Sequence, residues 1–324
     1  MTELRFLTAI NRALADAMTA DDSVILFGED VAEAGGAFGA TRNLRAQFGE
    51  ERVRDTPISE AAIAGAAVGA AMGGLRPVVE IMFMDFTTLV MDAMVNQAAK
   101  ARFMFGGQRS VPMVLRTPHG GGLGAGPQHS QCLEAWFAHI PGLKVVCPAD
   151  PASAYGLLRA AIDDPDPVVF VENKALYSLR MEHEGTLTPL PIGEAAILRK
   201  GPDVTIVAYG AAVHTALAAA KLLEEEGVNA EVLDLRSLQP WDEAAVLASL
   251  SRTHRLVVVH EAVEAFGIGA EICARMADIG FDELDGPLVR VGAPFMPVPF
   301  SRGLESQYVP NAQAVCAAVR RTLE

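Results

Sequence analysis

RDTPISEAAIAGAAVGAAMGGLRPVVEIMF, residues 54–83, carries a charge at Glu60 and then none until Arg76. The uncharged run from Ala61 to Leu75 falls short of the roughly 20 apolar residues that cross a bilayer, and its alanines and glycines are small, so it reads as a buried helix. Directly behind it, RPVVEIM is a short apolar run of the kind found in strands covered on both faces. A helix feeding a buried strand is the repeating unit of an α/β fold.

The same unit recurs outward in both directions. VILFGED, VPMVLRTP, LKVVCPA and PVVFVE read as further parallel strands, and FTTLVMDAMVNQAAKARF and PASAYGLLRAAIDD have helical spacing between them. From about Asn173 to Gly201 the alternation lapses into a polar stretch containing EHEGTLTPLPIG, too long for an ordinary connection between a helix and a strand. It restarts with VTIVAYG, AVHTALAAAKLLEEEG, AEVLDLRS, DEAAVLASLSRT, RLVVVHEA and PLVRVG. The expected architecture is therefore a parallel-sheet α/β domain over residues 1–185, a linker over 186–200 and a smaller α/β domain over 201–324.

The chain has 324 residues, 51% of them hydrophobic and 20% charged, a balance that belongs to a well-packed globular protein. A net charge of -14 disfavours a nucleic-acid partner, because phosphate backbones are held by clustered Lys and Arg. The four cysteines form no CxxC, which suggests neither a zinc cluster nor a disulfide framework, and a reducing cytoplasmic setting fits. The first residues, MTELRFLTAINRALADAMTADD, mix acids into a helical apolar period, unlike a signal peptide, and no stretch suggests a membrane span.

A dinucleotide site would need G-x-G-x-x-G between a strand and a helix. GGGLGAG at Gly120–Gly126 follows a strand, but Pro127 and the polar QHSQ come next, so it reads as a flexible loop. VAYGAAVHTA lacks the glycines, and P-loop and H-E-x-x-H patterns are absent. Glu60 has two readings. It is a helix-end acid behind a capping Ser59, which the helix dipole favours, or it is a carboxylate stripped of water by its apolar neighbours and able to share a proton with a ligand nitrogen. Gly65, Gly69 and Gly73 line one helix face and permit close approach of a second helix, within the domain or at a subunit interface. His129 in GPQHSQ lies beside the glycine-rich loop at the expected start of a helix, a better candidate than His214 or His254 within helical patterns; His139 and His260 stay open.

Taken together, DTPISE, the glycine-spaced helix, NQAAK, MFGG, PQHSQ with HIPGLKVVCP, and VTIVAYG followed by LDLRSLQPWD resemble the β subunits of the thiamine-diphosphate-dependent 2-oxo acid dehydrogenases, over nearly the whole chain. The resemblance implies an α2β2 heterotetramer with the cofactor at the α/β interface. Its diphosphate and magnesium would be held by a GDG motif of the α subunit, and this chain has no GDG. It also implies that Glu60 bonds the aminopyrimidine ring nitrogen and promotes the imino tautomer that deprotonates the thiazolium carbon. Ile58, Met82 and Phe86 would pack the aminopyrimidine, and His129 would position or protonate substrate and lipoyl groups.

By the same resemblance Met113, Ala161, Ile162, Asp164 and Asp166 are candidate potassium ligands, against the plainer reading of an Asp-Pro turn. The second domain resembles the transketolase carboxyl-terminal domain, implying contacts with the subunit-binding domain of a lipoylated acyltransferase. MFGGQRSVPMVLRTP is closer to the pyruvate and acetoin dehydrogenases than to the branched-chain type, with pyruvate placed first. Rival readings are a split transketolase subunit and a noncatalytic scaffold subunit.

Overall fold

The computed structural model describes residues 2–324. In chain order its strands are β1 (Thr2–Arg5), β2 (Val24–Gly28), β3 (Val53–Asp55), β4 (Arg76–Glu80), β5 (Val114–His119), β6 (Lys144–Val146), β7 (Val168–Asn173), β8 (Arg180–His183), β9 (Ala196–Arg199), β10 (Val204–Ala208), β11 (Ala230–Asp234), β12 (Ser237–Gln239), β13 (Leu256–Val263) and β14 (Val289–Ala293). The larger sheet has the order β12-β6-β7-β5-β4-β2-β3 and is parallel except for β12, which runs antiparallel to β6. The second sheet, β14-β13-β10-β11-β9, is parallel except for its edge strand β9. A two-stranded ribbon, β1 with β8, ties the start of the chain to the end of the first domain.

Alternate residues of a strand point to opposite faces, and here both faces are apolar. Val78, Val114, Val168 and Phe170 join Phe6, Ile10, Leu14 and Leu157 in one core; Val79, Leu115, Val169 and Val171 join Ile63, Ala67 and Met94 in the other. Helices Phe6–Ala20 and Pro151–Asp163 therefore cover one side of the sheet, and helix Glu60–Met72 covers the opposite side. Helix Pro151–Asp163 begins where the sequence sets it: Asp150 Oδ1 accepts from the Ala152 and Ser153 amides at 2.8 and 2.9 Å, and Pro151 opens the first turn.

Several expectations need correction. Helix Glu60–Met72 is buried only on the face of Ile63, Ala64, Ala67, Val68 and Ala71, and leaves Ala62, Ala66, Gly69 and Gly73 exposed. Strand β9 falls inside the stretch assigned to the linker and is an edge of the second sheet. The helical pattern at Phe86–Phe103 is not one α-helix: a tight turn spans Met84–Val90, a wide turn Ala93–Ala98, and α-helix only Ala99–Met104. The Thr87 and Thr88 hydroxyls donate to the Met84 and Asp85 carbonyls at 2.6 and 3.3 Å, an i to i−3 pattern suited to the tighter winding. His129 stands in a turn, ahead of the short helix Glu134–Ala138. Among the described residues no helix is long and apolar enough to cross a membrane.

Candidate active site

In an open parallel sheet, ligands bind beyond the carboxyl ends of the strands. Strands β3, β2, β4 and β5 are neighbours in that order, and each is followed by a candidate side chain: Glu60 after β3, Glu29 after β2, Met82, Phe83 and Phe86 after β4, His129 after β5. At about 4.8 Å per strand, this row extends roughly 14 Å, the scale of a small organic ligand.

Glu60 heads its helix and is 7% exposed, and the Ser59 side chain makes no capping bond there. The reading as a helix-end acid behind a capping serine loses that support. Beside it lies a residue that the sequence reading passed over. Glu29 is buried, its Oε1 lacks any hydrogen-bond partner, and its pKa is raised first by loss of hydration and then by the charge of Glu60. Burial beside a second carboxylate favours the protonated form of Glu29.

Phe83, Phe86 and His129 form an aromatic group. The His129 ring stands edge-on to Phe83 at 4.7 Å and to Phe86 at 5.4 Å between centroids. Helix Glu60–Met72 packs along the Met84–Val90 turn, so Glu60 and the Phe86–His129 group belong to adjoining elements. Met82 is half-buried, whereas Ile58 is 83% exposed and touches no core.

The loop between β5 and His129 is pinned, which corrects its reading as a flexible segment. Lys174, 3% exposed, donates from Nζ to the Gly120 and His129 carbonyls, both at 2.6 Å, and so closes the loop at both ends. Burial lowers the Lys174 pKa. The Gly121 amide donates to Glu261 Oε1 at 2.5 Å and the Gly124 amide to Glu305 Oε2 at 2.8 Å, so second-domain carboxylates occupy donors that a phosphate would need. Gly120, at φ +90°, admits no side chain, since a Cβ would stand 2.7 Å from Asn173 Nδ2. Beyond His129, Asp85 Oδ1 accepts from the Gln131 amide and side chain at 3.2 and 2.9 Å.

The remaining histidines separate by environment. His139 is exposed at the end of its helix. His260 is buried against Tyr209, ring centroids 6.0 Å apart, with its Nδ1 3.1 Å from the Ala262 carbonyl and its pKa lowered by burial.

The candidate cation ligands meet donors of the chain itself. Arg76 Nη1 donates to the Ile162 carbonyl at 2.8 Å and the Asp164 carbonyl at 3.2 Å, and Val168 N to the Met113 carbonyl at 3.0 Å. Lys144 Nζ bonds both Asp164 carboxylate oxygens at 2.8 and 2.6 Å, and Arg102 Nε bonds Asp166 Oδ1 at 2.5 Å. Ala161 is buried in the preceding helix, and the Asp166 amide donates to Asp164 Oδ1 at 2.9 Å, as in an Asx turn. Potassium fits this set poorly, because side-chain cations already neutralise it.

Comparison with known proteins bears on this arrangement. The family described as transketolase, pyrimidine binding domain, matches residues 2–180, and transketolase, C-terminal domain, matches residues 193–315. The pyruvate dehydrogenase E1 component subunit beta-2, mitochondrial, of Oryza sativa subsp. japonica is 47% identical over 323 residues, covering 98% of this chain and 86% of that protein. The acetoin:2,6-dichlorophenolindophenol oxidoreductase subunit beta of Bacillus subtilis is 48% identical over 327 residues, 97% of this chain and 96% of that one. A split gene transketolase, solved as an inactive beta4 tetramer, superposes with a TM-score of 0.82 at 24% identity over 99% of this chain and 98% of its own, a likeness of fold.

Proposed function

The chain belongs to the β subunits of the thiamine-diphosphate-dependent 2-oxo acid dehydrogenase component, of the pyruvate and acetoin type, and from this we propose that it supplies the pyrimidine half of an active site completed by an α subunit. The reaction is oxidative decarboxylation of a 2-oxo acid, pyruvate favoured and acetoin the second reading, with the acyl group passing to the lipoyl arm of an acyltransferase. The observation that supports this division is the one-sidedness of the site. The strand ends present a buried carboxyl pair and an aromatic wall, while the glycine-rich loop has its amides occupied by Glu261 and Glu305. Such residues fit an aminopyrimidine and do not cradle a diphosphate, so magnesium and the phosphates fall to the α subunit.

Thiamine diphosphate, when bound, supplies the electron sink for decarboxylation. Within this chain, Glu60 hydrogen-bonds the pyrimidine ring nitrogen, and burial beside the charge of Glu60 raises the pKa of Glu29 at the end of the neighbouring strand. Phe86 and Met82 give the ring an apolar wall, and Ile58 completes it from the exposed Pro57–Ser59 stretch, where cofactor and partner would cover it. His129, its backbone fixed by Lys174 and its ring by Phe83 and Phe86, positions or protonates substrate and lipoyl groups. The net charge of -14 suits a basic patch on the acyltransferase's subunit-binding domain.

The test is co-expression with the chain's genomic neighbour, followed by assay of 2-oxo acids and acetoin with an artificial electron acceptor. Glu60→Gln in that complex should lose at least about tenfold in rate, the scale of one acid/base contribution. Unchanged decarboxylation in the variant would support the scaffold reading, and full turnover by the chain alone would overturn the shared site.

A further inference from the structure

We propose that His119, Cys132 and Glu134 form a binding site for one zinc-class divalent cation beside the cleft between the two domains. His119 ends β5, Cys132 follows the loop that carries His129, and Glu134 opens the helix Glu134–Ala138. A nitrogen, a sulfur and an oxygen from these side chains lie within 4.8 Å of one another. His119 and Glu134 are 2% and 0% exposed, and His119 Nδ1 and Glu134 Oε2 face each other at 3.4 Å as an imidazole–carboxylate pair, outside hydrogen-bond geometry and with no other partner. A tetrahedral ion bound at about 2.0–2.1 Å by nitrogen and oxygen sets those atoms about 3.3–3.4 Å apart, so the observed spacing is that of adjacent ligands.

The outer atoms are held as metal ligands usually are. Glu134 Oε1 accepts from the Tyr209 hydroxyl at 2.7 Å, and His119 Nε2 faces the Cys147 sulfur at 3.8 Å, which leaves Oε2 and Nδ1 as the free ends. Cys132 also lines a cavity of about 440 Å³ between the Pro127–Leu133 stretch and the second-domain residues Glu261, Phe295 and Tyr308. That cavity reaches the Cys132 side of the cluster, from which an ion and a water as fourth ligand would enter. Neutral imidazole, carboxylate and thiolate balance a divalent charge, and the thiol proton leaves to solvent as the metal–sulfur bond forms. Sulfur with imidazole selects zinc over magnesium or calcium. An ion here would anchor the chain just beyond His129, as Lys174 anchors the His129 carbonyl itself.

The experiment uses the full chain without a histidine tag, stripped by chelator and titrated with cobalt(II) as the spectroscopic probe. A thiolate-to-cobalt band in the near ultraviolet should saturate at about one ion per chain and be displaced by zinc. Cys132→Ser should lose the band and Cys273→Ser should keep it, and His119→Gln should weaken cobalt binding at least about tenfold. X-ray absorption of the zinc-loaded parent gives a reading that needs no variant: one sulfur in the first shell is expected. A first shell of nitrogen and oxygen alone, absence of the band, or its persistence in Cys132→Ser would each overturn the site.

Discussion

At the scale of single residues, burial beside the charge of Glu60 makes Glu29 a liability to the folded chain. Its native pKa is raised, so the folded chain binds a proton that the unfolded chain has already released, and stability falls as pH rises through the native pKa. Glu29→Gln should therefore unfold at a higher temperature than the parent at about pH 8, with the advantage gone at about pH 4; equal midpoints at both would sink the carboxyl-pair account. Lys174→Met leaves the Gly120 and His129 carbonyls buried without their donor, a loss of about 1–3 kcal/mol each. In the complex with the α subunit it should cut kcat several-fold while amide exchange quickens in residues 120–131, whereas a purely structural lysine would leave exchange in that loop unchanged. Neither residue was legible in the sequence. Glu29 is the next-to-last residue of VILFGED and looks like the end of a strand, and Lys174 meets partners 54 and 45 positions away, which no periodicity reports. Glu60 stood out only through the resemblance of its surroundings.

Strands were the most legible elements, because apolar runs without alternation admit few alternatives to a sheet covered on both faces; β2, β4 and β6 lie within the stretches that read as strands, and β5 and β7 run one residue beyond theirs, to His119 and Asn173. The glycine-spaced helix was legible as a helix but not in orientation. With no charge between Ala61 and Leu75, nothing in its sequence marks a solvent face. The structure resolves the alternatives left open for Gly65 and Gly69: a Cβ at either would meet nothing within 4 Å, so no helix of this chain uses the stripe. A close-packed partner helix from another subunit is the alternative that stays, and substitution at Gly69 tests it. Gly69→Ala should then stabilise the isolated chain by about 0.5–1 kcal/mol, the usual gain of alanine over glycine inside a helix. Gly69→Leu should leave the isolated chain folded but abolish its co-purification with the α subunit. Retained assembly in the leucine variant would remove the stripe from the interface.

Across the whole molecule, the domains are less separable than the sequence suggested. Strand β12, from the second half, completes the first sheet, and one core runs from Ile63 and Leu115 to Leu233, Val258 and Ile272. Pairing between distant segments leaves no local trace, which is why β9 read as linker and β12 did not read as a strand. Because that core is shared, a penalty at the junction bears on both halves of the chain. Asp234 carries such a penalty. It ends β11 fully buried, its Oδ1 accepts the Arg236 amide at 3.0 Å, and its Oδ2 has no hydrogen-bond partner, with Arg236 Nε 4.0 Å away. Loss of hydration is the largest influence on its pKa, which is pushed up to about 7 from an ordinary 3.8. Between those values the native chain keeps a proton that the unfolded chain has lost, so stability declines as pH rises toward about 7 and levels off above it. At about 1.4 kcal/mol per pH unit the decline is on the order of a few kcal/mol. Asp234→Asn keeps the acceptor for the Arg236 amide and removes the charge. Urea unfolding at about pH 5 and about pH 8 should show a smaller loss of stability in the variant than in the parent, and the same loss in both would mean that Asp234 stays ionised in the folded chain.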